Sequence, residues 1–509
     1  MNILFLAEPT FPRHRGGGGL GTHILAAALQ RRGHQVRIAC QCHEPSEVEV
    51  IDGVEVHRVN WDEVSELPGR AGEIATANAM RQYLERNIEL AKVDVLFDSG
   101  AFLSFFHRLA YDLKKRYGLP FVLQFRYLVA RHVRAVSGGA GAELDASALG
   151  LECCVEDSSQ CFPSRFADEV LCISQEDADF VAAALRPTWG PHVLSEPIEP
   201  VQIDPQSTAR VRAELLAPGE QLLFFGGRID DTMKGGDVVQ AALDRILSAR
   251  PNTRLLLLPR EESWLLPYRR FGSAIIARPW VRDRVELAAL MSATDVLLMP
   301  SAYEPFGLVC AEALQVGCPV VATRVGGLKD QIVHGENGFL VSGATVTERA
   351  EQVAQYTLQI LSDPQLAARL SKAAVSSAKR YSSDLVAAQA EAICERVVAR
   401  VRASQGASAM ISPPVLPPDE ERRYLDLVRQ YGGETGESAG RANLDQLNET
   451  ASARCTSCTR ARMARDTRAL MELGRRSRGI WGRFFGPSVV DRRSAVEATC
   501  PLALLQKHS

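Results

Sequence analysis

Pro300-Ser-Ala-Tyr-Glu-Pro-Phe-Gly-Leu-Val-Cys-Ala-Glu-Ala-Leu-Gln-Val-Gly-Cys-Pro-Val-Val-Ala-Thr323, followed by Gly326-Gly327, is the stretch on which the reading of this chain turns. The apolar run Val296 to Met299 before it has the length and composition of a buried strand, and Pro300 ends it. A loop then holds Glu304, Gly307 permits close backbone approach where a helix begins, and Glu312 falls inside that helix. In open α/β sheets ligands bind beyond the carboxyl ends of the strands, where the free N–H groups and dipole of a following helix favour phosphate. The stretch therefore predicts a site for an anionic ligand. Glu304 and Glu312 stand eight residues apart, so one lies in the loop and the other about two helical turns away. An ionised carboxylate only accepts hydrogen bonds and sugar hydroxyls donate them, so this separation suits a sugar at one end of a ligand and a ribose at the other. Taken alone, either glutamate is more simply a solvated helix-end charge; the whole string carries the functional reading.

Working outward, Phe224-Phe-Gly-Gly-Arg-Ile-Asp-Asp-Thr-Met-Lys-Gly-Gly236 gives a strand, a glycine turn, Arg228, a short loop and Lys234 before the next helix. Two cations at one strand end can neutralise a diphosphate, arginine through its planar fork and lysine as a point charge, in the place of a divalent metal. Near the start, Gly16-Gly-Gly-Gly-Leu-Gly-Thr-His-Ile24 follows a first strand at Asn2 to Ala7 and opens a helix. Glycine-rich turns let backbone N–H groups approach phosphate, although this one does not spell the dinucleotide fingerprint.

These motifs sit in a repeated grammar. Short apolar runs alternate with helix-like stretches: Leu20 to Arg32, Gln35 to Ala39, Val93 to Phe97 and Pro120 to Phe125 follow the first strand. The pattern restarts at Gln221 to Phe225 and runs through Gly236 to Ala249, Arg254 to Leu258, Ala274 to Ala277, Val285 to Ser292, Val296 to Met299, Gly307 to Val316 and Pro319 to Thr323. Such alternation predicts an α/β protein with two mostly parallel sheets, each covered by helices. Prolines from Pro187 to Pro205 mark the hinge between the units, placed near Pro197. The expected organisation is 1–196, 197–382, a last amphipathic helix from Ser383 to Arg402, a proline-rich spacer over 403–418 and a separate extension over 419–509.

Composition agrees with a chain of several folding units. Its 509 residues are 46% hydrophobic and 23% charged, which excludes a disordered or disulfide-framework protein for the bulk. With 58 basic against 61 acidic side chains the net charge is −3, unlike a surface built for nucleic acid. Twelve scattered cysteines suit a reducing compartment, the longest apolar runs are far too short to span a bilayer, and the start lacks signal-peptide character. The expectation is a cytoplasmic protein.

The Glu304-x7-Glu312 string, with its trailing Gly-Cys-Pro-Val-Val-Ala-Thr and Gly-Gly, resembles the signature of retaining nucleotide-sugar glycosyltransferases of the GT-B fold, in particular the large family four, also called glycosyl transferases group 1. The likeness runs over about residues 1 to 402. It implies two facing Rossmann-like domains, an N-terminal acceptor domain and a C-terminal donor domain, with the helix 383–402 crossing back to the first. It also implies transfer of a sugar, hexosyltransferase-like, from a nucleotide-diphosphate sugar, UDP- or GDP-linked, to a hydroxyl acceptor in glycan or cell-envelope biosynthesis. By the same resemblance Glu304 touches the donor sugar, Phe306, Gly307, Leu308 and Val309 line the sugar and phosphate pocket, and Glu312 holds the ribose. Arg228 and Lys234 stabilise the departing diphosphate, Gly18 and Gly19 reach towards donor phosphate and acceptor, and no metal or other cofactor is implied.

The chain departs from the family pattern in the first unit. Arg126 stands where many members carry a histidine, Phe97-Asp98-Ser99 stands where others carry histidines, Ser195-Glu196 replaces an Asn-Gly, and Pro279 replaces a glycine near the base pocket. His107 and His132, nearby in sequence, read as surface or structural residues. Asp98 and Arg126 become the expected acceptor or sugar contacts. The rival readings are a GT-B epimerase or phosphorylase, disfavoured by the transferase-like spacing, and a non-catalytic sugar-nucleotide-binding subunit, which would bind nucleotide without turnover.

Between Arg454 and Arg493 eleven arginines face three acidic residues, and over 460–485 they interleave with Met463, Leu470, Trp481, Phe484 and Phe485. The extension is expected to be mostly helical or disordered and non-catalytic. Its basic, aromatic-ended segment could lie on anionic lipid at the inner face of a membrane, although a solvated or partner-packed tail is the simpler reading. Cys455-Thr-Ser-Cys458 lacks two further ligands at zinc spacing.

Overall fold

The computed structural model describes residues 1–7, 17–42, 44–60, 69–99, 104–128, 131, 164, 166–184, 187–229, 231–281 and 283–406. His132, the extension 419–509 with its 460–485 segment, and the spacer beyond 406 lie outside the described residues.

Eight strands form the first sheet: β1 (Asn2–Ala7), β2 (Gln35–Cys42), β3 (Glu47–Ile51), β4 (Val54–Asn60), β5 (Val95–Asp98), β6 (Phe121–Phe125), β7 (Glu169–Cys172) and β8 (His192–Val193), in the order β3-β4-β2-β1-β5-β6-β7-β8. The second sheet has β9 (Gln221–Phe225), β10 (Thr253–Leu257), β11 (Ile275–Ala277), β12 (Val296–Met299), β13 (Val320–Thr323) and β14 (Gly338–Val341), in the order β11-β10-β9-β12-β13-β14. Every described pairing is parallel except β3 with β4. The expected α/β, GT-B-like plan of two parallel-sheet units is what the chain adopts.

In each sheet the chain leaves its first strand in one direction and later resumes on that strand's other side. The order therefore reverses between β1 and β5 in the first sheet and between β9 and β12 in the second. Crossover connections diverge at such points and leave a crevice beyond the carboxyl ends of the two strands. The helix that begins at Gly17 comes next after β1 and Asp98 ends β5, whereas Arg228 and Lys234 follow β9 and Glu304 follows β12.

Helices in chain order are α1 (Gly17–Arg31), α2 (Gly69–Asn87), α3 (Ser104–Tyr117), α4 (Gln175–Ala184), α5 (Pro205–Leu215), α6 (Gly236–Ala249), α7 (Arg284–Ser292), α8 (Leu308–Gln315), α9 (Leu328–Gln331), α10 (Val346–Ser362), α11 (Pro364–Ala378) and α12 (Ser383–Gly406). Period-2 alternation in β1 sends Leu4 and Leu6 to one face of the first sheet and Ile3, Phe5 and Ala7 to the other. That second face is closed by α1 and, from the far end of the chain, by Val386, Ala387, Ala390, Cys394 and Val397 of α12. At about 25 cal/mol per Å² of apolar surface, each large buried side chain in this seam contributes roughly 1.5–3 kcal/mol. The helix α12 runs to Gly406, four residues into the stretch expected to be spacer.

The sequence reading missed the β3–β4 hairpin at the sheet edge. Its turn is Asp52-Gly53, with φ of 51° and 79°, a two-residue turn that only residues tolerant of the left-handed region allow. The signal was there, Asp52-Gly53 between the alternating runs Glu47-Val-Glu-Val50 and Val54-Glu-Val56; Val48 and Val50 face solvent on the edge strand.

Candidate functional site

The site grows from two adjacent strand ends in the second sheet. After β9 the chain turns through Gly226 and Gly227, and a Cβ on Gly226 would come within 2.9 Å of Val309 Cγ1, so the β9 turn lies directly against the first turn of α8. Ala302 N–H donates to the Met233 carbonyl at 2.8 Å, joining the loop after β9 to the loop after β12. Gly235, at φ 75°, brings the chain so close to Pro300 that a Cβ would lie 2.1 Å from its carbonyl oxygen, which is why a glycine follows Lys234.

Within this frame Lys234 Nζ donates to Glu304 Oε2 at 2.7 Å, and the Ser301 hydroxyl donates to the same oxygen at 3.1 Å. Arg228 pairs with Asp231. Burial raises the Asp231 carboxyl, but the charges of Lys234 and Arg228 outweigh it and hold the group below its usual range. Asp231 thus ties the two expected phosphate cations together, a role its place between them in the sequence could have signalled.

Gly307 sits at φ 92° as the cap of α8, with no side chain closing the helix start. The first N–H groups of α8 have no intrahelical acceptor and form an open anion-binding end. Glu312, inside α8, pairs with Arg284 at the start of α7. Arg284 was not singled out from the sequence; it lies 28 positions from Glu312 and meets it only through folding.

Among the residues expected to line the pocket, Leu308 and Val309 are partly buried at the start of α8. Phe306 differs. Its ring packs at 5.3 Å against Tyr381, in a cluster with Ile173 and Ile198. The Phe306 carbonyl accepts from Gln331 Nε2 at 2.6 Å. The trailing Gly326-Gly327 folds back on the Glu304 loop, and a Cβ on Gly326 would lie 2.0 Å from the Glu304 carbonyl oxygen.

The first unit meets this site directly. A Cβ on Gly17 would contact Leu308 Cδ1 at 3.4 Å, so the start of α1 reaches the start of α8. The Gly18 carbonyl accepts from the Thr22 hydroxyl at 3.0 Å and from Arg126 Nη1 at 2.7 Å. Asp98 is fully buried at the end of β5, and the adjacent Ser99 hydroxyl lies 3.1 Å from that of Thr22. Hydrogen bonds therefore join Gly18, Thr22, Ser99 and Arg126 into one polar group, with Gly19 and Asp98 as chain neighbours of its members.

Beside it the units are latched. Glu176 at the start of α4 accepts from the Gly326 N–H at 2.7 Å and pairs with Lys329 at 2.7 Å and with Arg131, while Asp330 accepts from the Gln175 N–H at 2.8 Å. Tyr303, one residue before Glu304, is packed by Tyr127 at 5.8 Å and lies under the Arg131 guanidinium at 5.5 Å.

The described cysteines are free and buried, and burial pushes the Cys310 thiol in α8 far up, which leaves it unsuited as a nucleophile. Among the described residues no three His, Cys, Asp or Glu side chains converge to hold a metal ion, and no helix is long and apolar enough to cross a membrane.

Residues 207–376 match the model of glycosyl transferases group 1, and residues 16–195 match the glycosyl transferase 4-like domain. Glycogen synthase of Mycobacterium tuberculosis is 28% identical over 401 residues, covering 74% of this chain and 89% of that enzyme. Sucrose-phosphate synthase from Thermosynechococcus elongatus superposes with a TM-score of 0.62 at 20% identity, over 78% of this chain and 99% of that one. Anabaena HepE, in complex with UDP and glucose, superposes with a TM-score of 0.56 at 18% identity, over 78% of this chain and all 100% of its own.

Proposed function

The chain belongs to the group 1, family-4-like glycosyltransferases, enzymes that transfer sugar from a nucleotide sugar, and from that premise we propose a retaining, metal-independent transfer to a hydroxyl acceptor. The observation that carries the proposal is the convergence, at the carboxyl ends of β9 and β12, of Arg228, Lys234, Glu304 and the open start of α8.

In this reading the diphosphate of a UDP- or GDP-linked donor lies on the N–H groups of Gly307, Leu308 and Val309 and between the two cations. Lys234 exchanges its pairing with Glu304 for phosphate oxygen, which frees Glu304 to accept from donor sugar hydroxyls. Glu312 accepts from the ribose hydroxyls and gives up Arg284 to do so. Asp98 and Arg126 contact acceptor or sugar from the opposite wall, beside Gly18 and Gly19.

The bond from the sugar anomeric carbon to the phosphate oxygen breaks with its electron pair left on phosphate. The acceptor oxygen forms its bond on the same face, and its proton passes to the departing phosphate oxygen. No protein base is then needed, and catalysis rests on positioning and on stabilising the charge that grows on the leaving group. Two fixed cations and a helix start supply that stabilisation without a metal. Cytoplasmic glycan or cell-envelope biosynthesis, with a glycolipid, polysaccharide or small glycoside as product, is the setting this chemistry fits.

Thermal unfolding with UDP, GDP and ADP, and with their common sugar conjugates, tests the donor site. A nucleotide at about 100 times its dissociation constant adds about 2.7 kcal/mol, a shift of a few degrees. The shift is expected with one nucleotide and is lost in Arg228→Ala and weakened in Glu312→Ala. Folded protein that shifts with none of them would sink the donor assignment, and binding without any release of nucleotide from its sugar conjugate would select the non-catalytic subunit.

A further inference from the structure

At the carboxyl edge of the first sheet one carboxylate has no part in the reading above. Glu196, just after β8, lies 2.9 Å from Arg126 Nη1 as a buried ion pair, the two side chains being 4% and 2% exposed. The arginine is held on three sides: Nε donates to Gln124 Oε1 at 3.2 Å, Nη1 donates to the Gly18 carbonyl at 2.7 Å, and the glutamate faces Nη1. Its Nη2 is buried and makes no hydrogen bond with any described residue. The pair also presses on α1, where a Cβ on Gly21 would lie 2.0 Å from Glu196 Oε2 and 2.8 Å from Arg126 Nη1.

Stability alone is a poor reason for this arrangement. Two charges removed from water recover little net energy from one another, and a well-packed apolar pair of similar volume is often as stable. Here burial raises the Glu196 carboxyl against the opposing pull of Arg126, and the guanidinium keeps a buried N–H pair without an acceptor. An unmet buried donor costs about 1–3 kcal/mol, which an oxygen arriving in the cleft would relieve.

We propose that Glu196 is a positioning residue of the transfer site: it holds the Arg126 guanidinium so that Nη1 pins the Gly18 carbonyl and Nη2 is presented to an oxygen of the bound sugar or acceptor. The two residues stand 70 positions apart, each at a place where the chain departs from its family, and they form one unit. The substrate-facing half of the inference rests on the donor and acceptor reading of the cleft; the clamp on Gly18 does not.

The test uses the full chain with Glu196→Gln, Arg126→Gln and the double variant, which removes both charges and guards against failure of a single variant to fold. Hydrogen exchange of residues 17–25, without ligand, is expected to quicken about tenfold in each single variant, with the double no faster than the quicker single. Nucleotide release from UDP-glucose and GDP-mannose is then followed. Glu196→Gln is expected to lower kcat about tenfold with KM within about twofold, and the double to match Arg126→Gln. Unchanged exchange at 17–25 in Glu196→Gln overturns the clamp whatever the nucleotide does. Single-variant losses in kcat that multiply in the double overturn the coupling. Wild-type protein that binds neither UDP nor GDP, while the exchange responds, overturns the donor reading and the substrate-facing role of Nη2 but upholds the clamp.

Discussion

The two walls of the cleft handle charge in opposite ways. On the second unit's wall the cations are half-open, the side chains of Lys234, Arg228 and Arg284 being 23%, 26% and 36% exposed, while the carboxylates Glu304, Asp231 and Glu312 beside them are largely buried. On the first unit's wall Arg126, Glu196, Asp98 and Asp177 are all buried. A partly exposed cation keeps water as a partner, so in the proposed donor reading an entering diphosphate can take the place of the carboxylate beside it. Buried pairs are costly to break and cannot serve as exchangeable ligands; they hold backbone and one another in place. One wall is built to trade partners and the other to stay fixed.

The largest effect that could break this comparison is on the trading wall. Arg228→Ala should lower nucleotide release by about 10²–10³-fold, the loss typical when one donor to a developing anion is removed, while the unfolding midpoint without ligand changes little. A large loss of stability with little loss of turnover would reverse the assignment of the two walls.

Next comes a pH test of the fixed wall. Burial lifts the Asp177 carboxyl to about 6, despite the opposing charge of Arg131 and the Ser174 hydrogen bond, and with Glu176 and Asp330 adding to the rise. The unfolded chain releases that proton near pH 4, so between about pH 4 and 6 the folded state binds more protons than the unfolded one. Stability from this group is therefore present below about pH 4 and declines as pH rises through about 6, by on the order of 3 kcal/mol. Asp177→Asn should remove that decline and be the more stable form at pH 7. Urea unfolding of both proteins across this range measures the difference, and parallel profiles would refute it.

Gly21→Ala sharpens the contrast at one atom. The added methyl meets Glu196 and Arg126, and overpacking of this kind costs about 1–3 kcal/mol, read from the urea midpoint. The smallest effect belongs to the latch. Lys329→Ala removes a partly exposed partner of Glu176, which keeps the Gly326 N–H and Arg131, so it should cost no more than about 1 kcal/mol and should matter less in high salt.

The walls also differ in how far they could be read beforehand. Except for Arg284, the trading wall is written in two short contiguous stretches, 224–236 and 300–327, because a strand end, its loop and the next helix supply the other groups. Strand and helix limits there fell within about two residues, since β9 and β12 are central, apolar and bounded by glycine or proline. Arg284 escaped because its partner is on another helix, and Asp231 because an aspartate between two cations reads as loop. The fixed wall draws Gly18, Asp98, Arg126 and Glu196 from four strand ends, and no local pattern links them. Arg126 and Glu196 were visible only as two separate departures from the family pattern. That the two side chains meet as a buried pair is a fact of three dimensions.

The return of α12 to the first sheet bears on how this chain can be divided. Cutting at the hinge near Pro197 would strip the first unit of Val386, Ala387, Ala390, Cys394 and Val397 and bare the α1 face they cover. The N-terminal half is thus a discontinuous domain whose last helix is made some 190 residues after its last strand. During synthesis it must wait for the whole second unit to emerge before its own core is closed, and any split that keeps both units whole needs two cuts, on either side of residues 197–382.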